Sequence, residues 1–219
     1  SLDAYQTKDP NRVLKQAAAI YGALQEQNII YSVPPASFER VGQRVRLCDA
    51  IIQQKMGTCL DLTLLYASCL EAVGLHPLII LKKDHAFAGV WLEDLSFPES
   101  VQDDASLITE RLAEGINEVA VVECTLFVAG KHATFDDAQA AEHSMTGTEP
   151  IEYIIDVNRA RLSGVSPLPL RVQTDSGWRI ERNARSESEL TSAPKDVSGI
   201  IPLTNVEENP VSKKVQWER

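Results

Sequence analysis

Three residues in this sequence have types and surroundings that suit acyl-transfer chemistry: Cys59, His85 and Glu123. Cys59 follows Gly57-Thr58 and opens the run Cys-Leu-Asp-Leu-Thr-Leu-Leu-Tyr-Ala-Ser-Cys-Leu-Glu-Ala. Gly57 breaks the chain, Thr58 can cap a helix, and Asp61 stands three residues on as its capping-box partner. A cysteine in the first turn of such a helix meets unpaired backbone N–H groups and the positive end of the helix dipole, which favour thiolate over thiol. The same amides can hold an oxyanion after the thiolate attacks a carbonyl. The plainer alternative for Cys59 is a small apolar core residue.

His85 opens the alternating stretch His-Ala-Phe-Ala-Gly-Val-Trp-Leu, sharing a strand face with Phe87, Gly89 and Trp91. A histidine at a strand edge can simply be surface. Glu123 interrupts the apolar run Val119-Ala120-Val121-Val122 and precedes Cys124-Thr125-Leu126. A carboxylate inside a buried strand requires a cation or a donor, because burying an unpaired charge costs roughly several kcal/mol. An imidazole would serve. If the two strands pair antiparallel, matching Leu92 with about Val119 sets His85 opposite about Leu126. The His end and the Glu end of the two strands then coincide.

The elements that must position these residues are legible in the periodicity. Asp9 caps a helix starting at Pro10, with Val13, Leu14, Ala17, Ala18, Tyr21 and Leu24 at helical spacing. Asn28 to Val33 reads as a short strand stopped by Pro34-Pro35, and Leu47 to Gln54 as a short helix. The helix from Cys59 is apolar over much of its circumference, hence buried, and Gly74 ends it. Strands are expected at His76 to Lys82, His85 to Leu92, Val119 to Phe127 and Glu152 to Val157, with helices at Asp104 to Glu114 and over 134 to 145. The fold class expected is α+β, with Cys59 on a buried helix packed against an antiparallel sheet that carries His85 and Glu123. Residues 1–163 form the domain. From Gly164 the chain is polar, proline-punctuated and aperiodic, so 164–219 reads as an extended or disordered linker.

Composition excludes other classes. A formal charge of −10 over 219 residues argues against direct nucleic-acid binding, which needs clustered Lys and Arg. No apolar run is long enough to span a membrane. No CxxC or CxxH pair occurs among Cys48, Cys59, Cys69 and Cys124, so no metal or other cofactor is expected. The first residues lack the basic and apolar blocks of a secretory signal, and the cysteines read as reduced thiols of a cytoplasmic protein.

The blocks GTCLDLTLLYASCLEAVGLHPL, HAFAGVWL and VVECT resemble the Cys, His and acid blocks of the transglutaminase-like (papain-like) superfamily of cysteine acyl-transfer proteins. More narrowly, PPASFERVGQRVRL with GTCLDL and HAFAGVWL is similar to the transglutaminase-like segment of large bacterial proteins related to superfamily 1 DNA helicases, and the closing VSKKVQWER resembles the lead-in to their helicase portion. The resemblance implies Cys59 as nucleophile, His85 as general base and acid, and Glu123 as orienter of the imidazole. It also implies a protein or peptide substrate and a helicase-type domain of the same parent protein as partner. Two glutamines are candidates for the oxyanion side chain: Gln53, six residues before Cys59, and Gln43, in the GQR block. Either can equally be a surface amide. Trp91 is a candidate for a substrate-channel wall, with core packing as its competing role.

Two departures from the superfamily pattern stand out. The acid is Glu where Asp is usual, and Asp84 precedes the histidine where Gly is expected. Two functions follow. One is an enzyme that forms a thioester at Cys59 and passes it to water or an amine, as peptidases, deamidases and transglutaminases do. The other is a non-catalytic module that binds a peptide or a neighbouring domain in the same cleft.

Overall fold

The computed structural model describes residues 2–33, 44–113, 115–145, 150–167, 170–174 and 177–181. Two units divide the chain, Ser1–Pro167 and Leu168–Arg219. The larger opens with helix α1 (Pro10–Gln25), where Asp9 accepts a hydrogen bond from the Asn11 amide and Pro10 takes the first turn at no cost in N–H bonds. Its inward stripe is Val13, Gln16, Ala17, Ile20, Tyr21 and Leu24. Gln16 is a buried polar exception, satisfied by the Asp3 and Ala4 amides on its oxygen and the Ala4 carbonyl on its nitrogen.

A two-stranded parallel pair follows, β1 (Ile30–Tyr31) with β2 (Met56–Gly57), around helix α2 (Cys48–Gln54). Lys55 ends α2 in the left-handed region (φ 53°), and its carbonyl accepts the Ile30 amide at 2.8 Å. The chain thus turns at once from β2 into helix α3 (Cys59–Ala72). The side of α3 turned to the core carries Leu62, Leu65, Tyr66 and Leu70; Leu60 and Leu64 are only partly covered. Gly74 (φ 83°) stops the helix.

Strands β3 (Pro77–Lys82), β4 (His85–Trp91), β5 (Val101–Gln102), β6 (Val119–Val122) and β7 (Ile151–Asp156) form one sheet in the order β5-β7-β3-β4-β6, with every neighbouring pair antiparallel. The class is therefore α+β. Strand β4 is covered on both faces. Ala88 and Val90 join the core built on α1 and α3, while Phe87 and Trp91 pack with Leu78, Ile80, Phe97 and Ile108, the last from helix α4 (Ser106–Leu112). The small residues on the α3 side let the helix close on the sheet, and Thr63 of α3 donates to the Ala86 carbonyl at 3.0 Å.

Several expectations are adjusted. The strand expected over Val119 to Phe127 ends at Val122; Glu123 then caps a 3₁₀ turn, Cys124–Leu126. The register sets Trp91, not Leu92, opposite Val119, a shift of one residue that leaves the shared sheet end intact. Beyond helix α5 (Phe135–Met145), a short helix α6 (Val157–Leu162) was not foreseen, nor was β5. Asp156 explains α6: its carboxylate accepts the Arg159 amide as cap, and also the Trp91 Nε1–H and the Phe97 amide. The larger unit extends to Pro167. Within the stretch read as an extended or disordered linker, β8 (Leu170–Thr174) and β9 (Gly177–Glu181) pair as an antiparallel hairpin. Residues 182–219 lie outside the described residues.

Candidate active site

Cys59 is the first residue of α3, and the start of that helix is held by a complete capping box. Thr58 Oγ1 accepts the Asp61 amide and Asp61 Oδ2 accepts the Thr58 amide at 3.0 Å. Asp61 is fully buried. Its oxygens also take the Arg46 amide and the Arg46 guanidinium, each at 2.7 Å. Capping and charge pairing therefore occupy this carboxylate, in line with the capping role its spacing suggested.

Cys59 is buried, 9% exposed as a residue. Burial pushes its pKa up, but the His85 hydrogen bond, the Ala86 amide, the imidazole's charge and the Leu60 amide together outweigh burial, and the net shift is downward. Helix start alone does not single out Cys59, because Cys48 also proves to be the first residue of a helix. The imidazole does. Cys69 behaves in the opposite sense: burial, then the neighbouring Cys48, raises its thiol. Cys124 is buried in the 3₁₀ turn, its Sγ donating to the Val122 carbonyl.

His85 stands at the first position of β4, opposite Lys82 across a tight turn. Asp84 occupies that turn at φ 60° and is exposed, which accounts for a position where glycine would be at ease. The His85 Nε2 lies 2.7 Å from Glu123 Oε2, and its ring stacks on Phe87 with centroids 6.4 Å apart. The imidazole is also a hydrogen-bond partner of the Cys59 thiol, whose pKa it lowers. Lys82 covers the Phe87 ring, its ammonium 4.7 Å from the centroid. Glu123 is buried and held at both oxygens, since Oε1 accepts the Thr125 amide at 2.7 Å. The donor that its burial demands is thus present twice over. One methylene more than Asp suits a carboxylate placed just past the strand end, at the cap of the 3₁₀ turn.

The other candidates fare differently. Gln53 is exposed on α2. Gln43 lies outside the described residues. Trp91, weighed as a channel wall, is 1% exposed and packs edge-on against Phe97 at 4.9 Å with its N–H bonded to Asp156, so its surroundings fit core packing. Trp91 packs in the cluster that includes Ile108 and Leu112 of α4, not in the one built on α1 and α3. Two residues were missed. Arg46 anchors the cap beneath Cys59, and Tyr31 neighbours Cys59, whose negative charge and hydrogen bond add to burial in pushing the phenol up. No sequence signal marks Tyr31, because β1 is two residues long and its pairing to β2 is non-local.

Among the described residues no three His, Cys, Asp or Glu side chains gather as a metal-binding group, and no helix is long and apolar enough to cross a membrane. Chemically, the arrangement offers a nucleophile, a proton carrier and an orienting carboxylate in series. Compared with known proteins, the chain matches no protein-family model, no curated protein and no solved structure.

Proposed function

We propose that this chain carries out cysteine-dependent acyl transfer on a protein or peptide amide, on a core of the transglutaminase-like type. The observation that carries the reading is the series Cys59–His85–Glu123, in which the imidazole bonds the carboxylate at 2.7 Å and draws the thiol's pKa down. In the first step the Cys59 thiolate forms a C–S bond to the amide carbon while the carbonyl π pair moves to oxygen. Collapse restores the carbonyl and breaks the C–N bond, and the amine leaves with the proton that His85 carries. In the second step His85 takes a proton from water or an incoming amine, which attacks the thioester and releases Cys59 as thiolate. Glu123 keeps the ring in place and stabilises its charged form. The resemblance to helicase-related proteins adds a helicase-type domain of the same parent protein as the proposed neighbour.

The test is the rate of iodoacetamide alkylation at each cysteine against pH, located by mass spectrometry, in the native chain and in His85→Ala. The reading expects Cys59 to react at lower pH than Cys69, and to lose that advantage without His85. A Cys59 that titrates as an ordinary thiol (about 8.5) overturns it.

A further inference from the structure

The triad leaves one requirement open. The tetrahedral oxyanion formed at Cys59 needs donors besides the amides at the start of α3, and Gln53, a glutamine suggested for this task, is exposed on α2. Tyr31 is better placed. Strand β1 is fixed against the segment that enters α3: Ile30 N–H donates to the Lys55 carbonyl at 2.8 Å and Ser32 N–H to the Gly57 carbonyl at 2.9 Å, which sets Tyr31 opposite Gly57, two residues before the nucleophile. On the other side, the fully buried Ile29 anchors the strand through its carbonyl, which accepts the Ala129 amide at 2.7 Å. Tyr31 is 38% exposed as a residue, so this position beside Cys59 is open to solvent.

Resting on the acyl-transfer reading above, we propose that Tyr31 is a further catalytic residue whose phenol O–H donates to the oxyanion formed when Cys59 attacks an acyl carbon. The oxyanion forms on the carbon that this sulfur bonds, and a donor must lie about 2.7–3.1 Å from it; a hydroxyl beside the sulfur meets that distance when the substrate's carbonyl oxygen is turned toward β1. In the resting state the hydroxyl is occupied by the thiol; on attack the negative charge passes from sulfur to oxygen and the hydrogen bond passes with it. No proton leaves Tyr31. Burial, and the negative charge of Cys59, push its phenol up, so it stays protonated and able to donate while the thiol is ionised.

The test compares two reactions of the same sulfur in the full chain. Alkylation by iodoacetamide forms no oxyanion; acylation by p-nitrophenyl acetate does. Tyr31→Phe keeps the ring and removes only the hydroxyl, and urea unfolding of both chains checks that the fold is retained. We expect acylation of Cys59 to fall by roughly 10²–10³-fold, the usual loss for one oxyanion donor, with alkylation falling far less. Equal losses in both reactions would mean that Tyr31 acts on the thiolate or the fold, and would overturn the proposal. Native rates of acylation in Tyr31→Phe would overturn it too, while leaving the triad standing. If native Cys59 alkylates as an ordinary thiol and takes no acyl group, the triad reading falls and the role of Tyr31 with it.

Discussion

His85 Nε2 and Glu123 Oε2 meet at 2.7 Å although one residue opens a strand and the other follows the end of its neighbour. Antiparallel pairing of β4 with β6 brings those two ends together, and the 3₁₀ turn after Val122 bends Glu123 toward the imidazole. The carboxylate is divided: one oxygen fastens the turn at Thr125 and the other holds the ring.

Glu123→Gln tests that division. A glutamine has one oxygen for two donors, so its NH₂ must face either the Thr125 amide or the imidazole N–H. Losing a hydrogen bond to a charged group costs about 1.5–3 kcal/mol. The substitution is expected to raise the pH at which Cys59 becomes reactive, because the imidazolium beside the thiolate loses its counter-charge. Alkylation of Cys59 against pH, beside native chain, reads this directly; an unchanged midpoint would deny Glu123 its orienting role.

The lowered Cys59 pKa also has a consequence for stability. The folded chain favours the thiolate relative to the unfolded chain, so this group stabilises the fold fully above the unfolded thiol's pKa. The contribution disappears as pH falls through the lower, folded value. Comparison of native chain with Cys59→Ser by urea unfolding across that window should show native stability rising relative to the variant with increasing pH, then levelling off. A difference that is constant with pH, or that shrinks as pH rises, contradicts the downward shift.

Much of this site could be read from local signals. Asp9-Pro10 and Thr58 with Asp61 mark helix starts because their partners lie within the same turn, and both caps form as their spacing requires. His85 and Glu123 could be brought together because antiparallel register follows from one matched pair. What escaped depends on contacts distant in sequence. Arg46 reaches Asp61 across α2, Tyr31 reaches Cys59 through a two-residue parallel pair, and Asp156 is buried under Trp91, 65 residues away. Strand alternation placed Trp91 on the His85 face correctly. It could not show that the sheet is covered on that face as well, which is why a channel wall and a core residue looked alike.

Arg46 and Asp61 give a prediction about the helix start that carries Cys59. Arg46→Met leaves the fully buried Asp61 carboxylate with backbone donors alone, and removing one partner of a buried pair costs about 3–5 kcal/mol. Arg46 itself is 32% exposed at its side chain, which places the expected loss at the lower end, near 3 kcal/mol. Thr58→Ala removes one cap and should cost about 1 kcal/mol. Urea midpoints at neutral pH order the two variants; a larger loss in Thr58→Ala would mean that the guanidinium contributes little.

Gly57 offers the sharpest steric test. A Cβ at this position would stand 3.1 Å from Leu62 Cδ2 and 3.3 Å from Asp61 Cβ, and Leu62 is fully buried. Leu62 cannot withdraw without disturbing the core between α1 and α3, and the Asp61 carboxylate is held by three hydrogen bonds from Thr58 and Arg46. Gly57→Ala is therefore expected to cost about 1–3 kcal/mol, the usual range for overpacking. It should also slow alkylation of Cys59, because the added methyl meets the first turn of α3 and displaces the thiol from its fit to His85. Destabilisation with an unchanged Cys59 profile would show that the core yields and the helix start does not; loss of both would show that the close approach of β2 to α3 sets the position of the thiol.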